Sequence, residues 1–138
     1  MVYFIDTNIF IRAIVKDDKK ASSECEKLLT YIKEGSIRAT TSTLVLAEII
    51  WTLQSFYSFS KKGATRVVKG IMNLSGLSIV DSYNPLMAIE LYEAKSIKYI
   101  DAVIATSEDV RAKRATVVSY DGDFDKVGVL RKEPSEII

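Results

Sequence analysis

Val2-Tyr3-Phe4-Ile5-Asp6-Thr7-Asn8 places four consecutive apolar residues directly before an acid and a helix-starting pair. The run is rich in β-formers and lacks polar alternation, as in a strand covered on both faces. Thr7 to about Val15 then reads as a short helix with Asp6 at its mouth, a good capping residue. The same alternation continues outward. Ala21, Cys25, Leu28, Leu29 and Ile32 recur at three- and four-residue steps, so residues 18–34 read as a helix that Gly35 stops. Residues 36–41 make a short strand, and Ser42 or Thr43 caps a helix running to about Tyr57. Residues 62–74 are helical, 77–80 a strand, and Asp81 or Ser82 caps a helix to about Lys95. A helix over roughly 101–114 precedes a strand at 116–119, and an edge strand is expected near 127–130. Strands alternating with helices argue for a three-layer α/β architecture with a mainly parallel sheet. No repeat, linker or low-complexity tract divides residues 1–138, which are expected to form one domain.

Composition narrows the chemistry. With 48% hydrophobic and 27% charged residues, the 138-residue chain can bury a core without metal or disulfide staples. Nineteen basic against eighteen acidic residues leave a net charge of +1, which excludes a strongly basic polyanion wrapper. Histidine is absent, so imidazole bases, His-containing triads and His-ligated zinc are excluded. The lone Cys25 forms no internal disulfide or multi-Cys metal site and reads as small core filler on an apolar helix face. No apolar run nears the ~20 residues that span a bilayer, and Asp6 cuts short any signal-peptide core. A soluble, cytoplasmic protein is the expectation.

Four carboxylates stand out. Asp6 follows the first strand, and open parallel sheets bind ligands beyond the carboxyl ends of their strands. Glu48 has apolar neighbours at i−4, i−3, i+1, i+2 and i+3, which leaves it no exposed face on a helical wheel. Asp101 is an isolated charge in Tyr99-Ile100-Asp101-Ala102-Val103, at a helix start. Asp121 follows the strand that ends at Ser119. Each has a plain structural reading: a helix cap for Asp6 and Asp101, an ion pair or stripe edge for Glu48, an Asx turn for Asp121. In a parallel sheet the four can converge. Carboxylates 4 Å apart repel by about 4 kcal/mol per pair at an effective dielectric near 20, so such a cluster requires a proton, a cationic side chain or a divalent ion. An all-oxygen donor set suits Mg²⁺ or Mn²⁺, and those ions favour phosphate-containing substrates. Asp81 also follows a strand-like run but reads as a cap only.

The sequence resembles the PIN-domain ribonucleases, in particular the compact VapC-type toxins of prokaryotic toxin–antitoxin pairs. The resemblance rests on four pieces in order: a strand plus Asp6-Thr7-Asn8, Leu46-Ala47-Glu48-Ile49, Asp101-Ala102 followed by Ala105, and Ser119-Tyr120-Asp121 followed by Asp123-Phe124. It implies an α/β/α PIN-like fold and a metal-dependent endonuclease acting mostly on RNA. Water attack would leave a 5′-phosphate and a 3′-hydroxyl. Asp6, Glu48, Asp101 and Asp121 would bind Mg²⁺ or Mn²⁺, Asn8 would hold the Asp6 loop, and Ser119, where many members have Thr, would hydrogen-bond an acid or the metal-bound water. Asp123 would add a distal contact. The resemblance also implies a small antitoxin that blocks the site, and a homodimer.

Three basic stretches are candidates for phosphate contacts: Arg12, Lys16, Lys19 and Lys20; Lys61, Lys62, Arg66 and Lys69; Arg111, Lys113 and Arg114. A solvated helical face is the default for each. Trp51, Phe56, Tyr57 and Phe59 read by default as core packing of a helix end, and otherwise as a dimer or antitoxin surface. Competing readings are a non-catalytic PIN-like scaffold that binds RNA or protein, or another Mg-dependent phosphate hydrolase. A haloacid-dehalogenase-like phosphatase requires a second Asp where Asn8 stands. A phospho-receiver requires an acidic pair after the first strand, and Asp17-Asp18 lies too far along.

Overall fold

The computed structural model describes residues 1–138. Five parallel strands, β1 (Val2–Ile5), β2 (Ala39–Thr41), β3 (Leu77–Ile79), β4 (Ala115–Val118) and β5 (Arg131–Lys132), form one sheet in the order β3-β2-β1-β4-β5. Central β1 pairs with β2 through Tyr3↔Ala39 and with β4 through Val2↔Ala115 to Ile5↔Val118. Successive strand residues point to opposite faces. Phe4 and Ile5 are both buried, as are Val117 and Val118, so helices cover the sheet on both sides. This is the α/β class, with every strand pair parallel.

Seven helices fill the connections: α1 (Thr7–Val15), α2 (Lys19–Lys33), α3 (Thr43–Phe56), α4 (Lys61–Met72), α5 (Pro85–Ala94), α6 (Tyr99–Ala105) and α7 (Glu108–Arg111). Phe4, Phe10, Leu28, Ile32, Ile49, Leu53 and Phe124 make the heart of the core, and Cys25 is fully buried among them. None of the helices is long and apolar enough to cross a membrane.

The chain order fixes where a site can form. From β1 the chain steps outward to β2 and β3, then returns across the sheet to β4 on the other flank of β1. Loops leaving β1 and β4 therefore part in opposite directions and open a crevice at the carboxyl ends of those two strands.

Several expected boundaries move. The helix expected to start at Asp81 or Ser82 begins at Pro85, with the Asn84 side chain accepting from the Met87 N–H at 3.0 Å. Proline at N1 sets the helical φ and keeps the residue before it extended. The single helix expected over 101–114 is two. Thr106 closes α6 by donating to the Val103 carbonyl at 2.7 Å while accepting from the Asn84 N–H at 3.1 Å. Because α6 starts at Tyr99, Asp101 lies in its first turn and is not its cap. The edge strand lies at 131–132 instead of 127–130, because residues 122–127 wind into a 3₁₀ turn that Gly128 ends at φ 72°. The helical-wheel argument that α3 has no open side also fails. The helix buries Val45, Leu46, Ile49 and Leu53 but leaves Trp51 60% exposed, and Glu48 is only half-buried.

Candidate metal centre

Asp6 leaves the end of β1 and turns straight into α1. One oxygen accepts from the Thr7 N–H at 2.8 Å, so Asp6 is a helix cap, as its plain reading expects. The other oxygen is committed elsewhere: it accepts from the Ser119 hydroxyl at 2.7 Å and from the Asn8 amide at 3.3 Å. Ser119 stands one residue beyond β4 and is fully buried. Asn8 spans the crevice, donating to the Ser119 hydroxyl at 2.9 Å and accepting from the Tyr120 N–H at 3.2 Å. Ser119 also accepts from the Asp121 N–H at 3.0 Å. Asp6, Asn8 and Ser119 thus form one hydrogen-bonded unit that ties the end of β1 to the end of β4 and sets the direction of Asp121.

The acids assemble around this unit in two overlapping groups. Asp6, Glu48 and Asp101 line one cavity of about 170 Å³, with Thr7, Asn8, Ile11, Thr52 and Lys98. Asp101, Asp121 and Asp123 each bring a carboxylate oxygen within 4.8 Å of the others. Asp101 belongs to both groups. All four acids singled out in the sequence therefore meet at the β1/β4 crevice, with Asp123 beside Asp101 and Asp121. Glu48 contributes from α3, where it is half-buried. Asp121 accepts from the Asp123 N–H at 2.9 Å, so its Asx turn and its place in the cluster coexist.

Crowding appears in the protonation of these acids. Burial raises Asp6 from 3.8 to about 6; the Ser119 and Thr7 hydrogen bonds pull against that, and the Glu48 charge adds to it. Burial, reinforced by the charges of Asp6 and Asp121, raises Asp101 to about 8, although Lys98 opposes the rise. Asp121 moves the other way. Burial would raise it, but the hydrogen bond and charge of Lys98 and the Asp123 N–H hold it below the usual carboxylate range.

The residues fit a hard divalent cation. Every donor is a carboxylate, hydroxyl or amide oxygen, the preference of Mg²⁺ and Mn²⁺. One oxygen of Asp101 is buried and accepts no hydrogen bond, with the Lys98 ammonium 3.8 Å away. Leaving a buried carboxylate oxygen unsatisfied is costly, and a cation coordinated there removes the cost.

Thr52 and Lys98, two polar residues of the cavity, were not singled out in the sequence. Thr52 lies one helical turn beyond Glu48, on the same face of α3, a spacing the sequence does offer. Lys98 places its ammonium 2.6 Å from Asp121 and 3.8 Å from Asp101. Its only sequence signal is a cation three residues before an isolated acid. Beside the cavity, a groove of about 210 Å³ continues past Asn8 and Ile11 to Arg12, Asp17 and Tyr57. Arg12 lies over the Tyr120 ring, 5.3 Å from its centre. Lys61, Lys62, Arg66 and Lys69 line a separate open hollow on α4. Arg114 is engaged by Glu108 and Asp109. Of the aromatic group expected as core, Trp51 and Phe56 (70% exposed) instead pack edge to face on the surface, 5.5 Å between ring centres.

The PIN domain family model matches residues 3–130. No curated protein sequence matches the chain. Solved structures with the same fold include VapBC from Salmonella typhimurium bound to DNA, with 19% identity, 97% of this chain and 99% of that chain covered, and a TM-score of 0.68. VapBC2 from Rickettsia felis, bound to a DNA fragment from its promoter, is 23% identical over 96% of this chain and 98% of that one, with a TM-score of 0.66. VapC20 of Mycobacterium tuberculosis, described as a toxin that cleaves the sarcin-ricin loop, is 16% identical over 94% and 97% of the two chains, with a TM-score of 0.66.

Proposed function

This chain belongs to the PIN domain family, and on that premise we propose that residues 1–138 form one metal-dependent endoribonuclease domain, the toxin of a VapBC-type pair. The observation that carries the reading is the meeting of Asp6, Glu48, Asp101 and Asp121 at the β1/β4 crevice, with one buried Asp101 oxygen that accepts no hydrogen bond.

Asp6, Glu48, Asp101 and Asp121 would hold Mg²⁺ or Mn²⁺. When bound, such an ion supplies charge neutralisation for phosphate oxygens and acidifies a water molecule. The chain's own residues do the rest. Ser119 and Asn8 fix one Asp6 oxygen so that the carboxylate cannot swing away, the role outer hydrogen-bonding partners play at such sites. Asp123 receives the Lys98 backbone N–H at 3.1 Å and so docks the start of α6 against the Asp121 loop. Arg12, in the adjoining groove, offers a charge for a backbone phosphate, and Tyr57 a ring face for a base. Hydrolysis adds water across the bond between phosphorus and the 3′ oxygen, leaving a 5′-phosphate and a 3′-hydroxyl.

A cognate antitoxin, self-association as a homodimer and a cytoplasmic location complete the reading. The fold is shared with VapBC complexes. Leu86, Ile89, Tyr92 and Tyr99 form an exposed apolar strip on α5 and α6 that suits a protein partner. The test is direct. Purified protein incubated with single-stranded RNA should cleave it with Mn²⁺ or Mg²⁺ and stop in EDTA. Cleavage that persists in EDTA contradicts the mechanism. RNA binding without cleavage at any divalent ion concentration favours the non-catalytic scaffold.

A further inference from the structure

Lys98 is the N-cap residue of α6, yet it makes no side-chain cap. A cation at that position meets the positive end of the helix dipole, where an acid or a small hydroxyl is preferred. What holds it is the acid cluster. Its backbone N–H donates to Asp123 at 3.1 Å. Its ammonium doubles back, 2.6 Å from Asp121 and 3.8 Å from Asp101, on the wall of the cavity that Asp6 and Glu48 share. Lys126, the other lysine nearby, donates to the Ser96 carbonyl at 3.0 Å and pairs with Asp123 at 3.4 Å. The Lys98 side chain is 64% exposed, so its flexible stem can leave without disturbing the core.

We propose that Lys98 is a tethered counter-cation, a positioning residue that holds the Asp101 and Asp121 carboxylates together in the metal-free protein and yields those oxygens to the divalent ion. The inference rests on the metal-dependent reading above. It gives that reading a regulatory consequence: the protein binds metal against its own ammonium, so the ion concentration needed for loading is set in part by this one side chain.

Two substitutions test it, Lys98→Met, which keeps the stem and removes the charge, and Lys98→Arg, which keeps the charge. Mn²⁺ binding is measured by calorimetry on EDTA-stripped, dialysed protein at pH 8, and thermal unfolding is measured in EDTA. Removing a competing unit charge at contact distance should tighten Mn²⁺ binding by about tenfold or more in Lys98→Met. The same variant should unfold several degrees lower without metal, and Lys98→Arg should stay near wild type in both. A residue with a merely structural role would weaken metal binding when removed. Equal or weaker Mn²⁺ affinity in Lys98→Met therefore overturns the inference while leaving the metal-dependent reading standing. Absence of Mn²⁺ binding in wild type and both variants means that the reading itself has failed. If Lys98→Met is unfolded in EDTA, adding Mn²⁺ should refold it, as followed by circular dichroism, and failure to refold counts against the proposal.

Discussion

Asp6 and Asp81 begin from nearly the same local chemistry. Each lies just past a parallel strand, β1 for Asp6 and β3 for Asp81, and each accepts a backbone N–H at a helix start. Asp6 takes Thr7 of α1 at 2.8 Å, and Asp81 takes Thr43 of α3 at 2.9 Å. They differ in what surrounds them. β1 has strands on both sides, and Asp6 is 4% exposed with four further acids around the same crevice. β3 is an edge strand, and Asp81 is exposed, with its one bonded oxygen shared by the Thr43 N–H, the Thr43 hydroxyl and the Tyr83 hydroxyl. A strand-end aspartate is thus a candidate only where the strand order reverses and other chain segments return to meet it.

The sharpest way to break this comparison is catalytic. Asp101→Asn keeps the shape of the side chain and removes its charge from the cluster, so cleavage should fall by about 10³-fold or more, as expected when several kcal/mol of transition-state charge stabilisation is lost. Asp81→Asn should stay within about twofold of wild type, because the amide keeps the acceptor oxygen that bonds Thr43. Equal losses at the two positions would mean that the crevice is not the site. A smaller loss is expected at Ser119→Ala, which leaves one Asp6 oxygen held only by Asn8. Outer partners of this kind are worth about 10- to 100-fold in metal affinity or activity. Mn²⁺ titration of the cleavage rate should place the loss mainly in the metal requirement. A rate lowered at saturating Mn²⁺ with an unchanged midpoint would instead assign Ser119 to the chemical step.

Both ends of the comparison were visible in the sequence, but for different reasons. Val2–Ile5 announced itself as a strand because burial on both faces demands an unbroken apolar run, and residues 116–119 did so through β-branched Thr116, Val117 and Val118 before a turn. Asp6 and Asp101 were visible because burial makes an isolated acid conspicuous. Lys98 was not, since a lysine in a polar break looks like every other solvated lysine until α6 turns it back over Asp121. Asn84 was hidden by its neighbours: Asp81 and Ser82 are equally good caps, and only Pro85 decides among them. The open side of α3 was illegible because an apolar residue such as Trp51 does not say whether its neighbour is core or solvent.

The pH dependence of stability separates the buried acids from ordinary surface ones. Asp6 and Asp101 have folded-state pKa values of about 6 and about 8, against 3.8 unperturbed. Between those limits the native protein binds more protons than the unfolded chain, so stability falls as pH rises. Asp121 and Asp125 are shifted downward, and their contribution is lost only as pH falls below the usual carboxylate range. Metal-free protein should therefore be less stable at pH 8 than at pH 5, by on the order of 3 kcal/mol. Asp101→Asn should flatten that slope. Urea unfolding in EDTA at the two pH values measures both, and wild-type protein that proves more stable at pH 8 would show that these carboxylates are not crowded.

The smallest effect belongs to the other end of the comparison. Asp81 bonds the first residue of α3 twice, through its N–H and its hydroxyl, while Ser42 caps the same helix from within by accepting the Val45 N–H at 3.3 Å. Two caps share one helix terminus, so Asp81→Ala should cost about 1 kcal/mol or less. The helix it supports carries Glu48 and Thr52 into the cavity. Asp81 therefore has one route to the site, through the seating of α3. If that route matters, Asp81→Ala should lower Mn²⁺ affinity in proportion to its loss of stability, whereas Asp81→Asn, which retains an acceptor oxygen, should lower neither. Unchanged Mn²⁺ affinity in a destabilised Asp81→Ala would show that Ser42 alone seats the helix, and that the two strand ends are energetically separate.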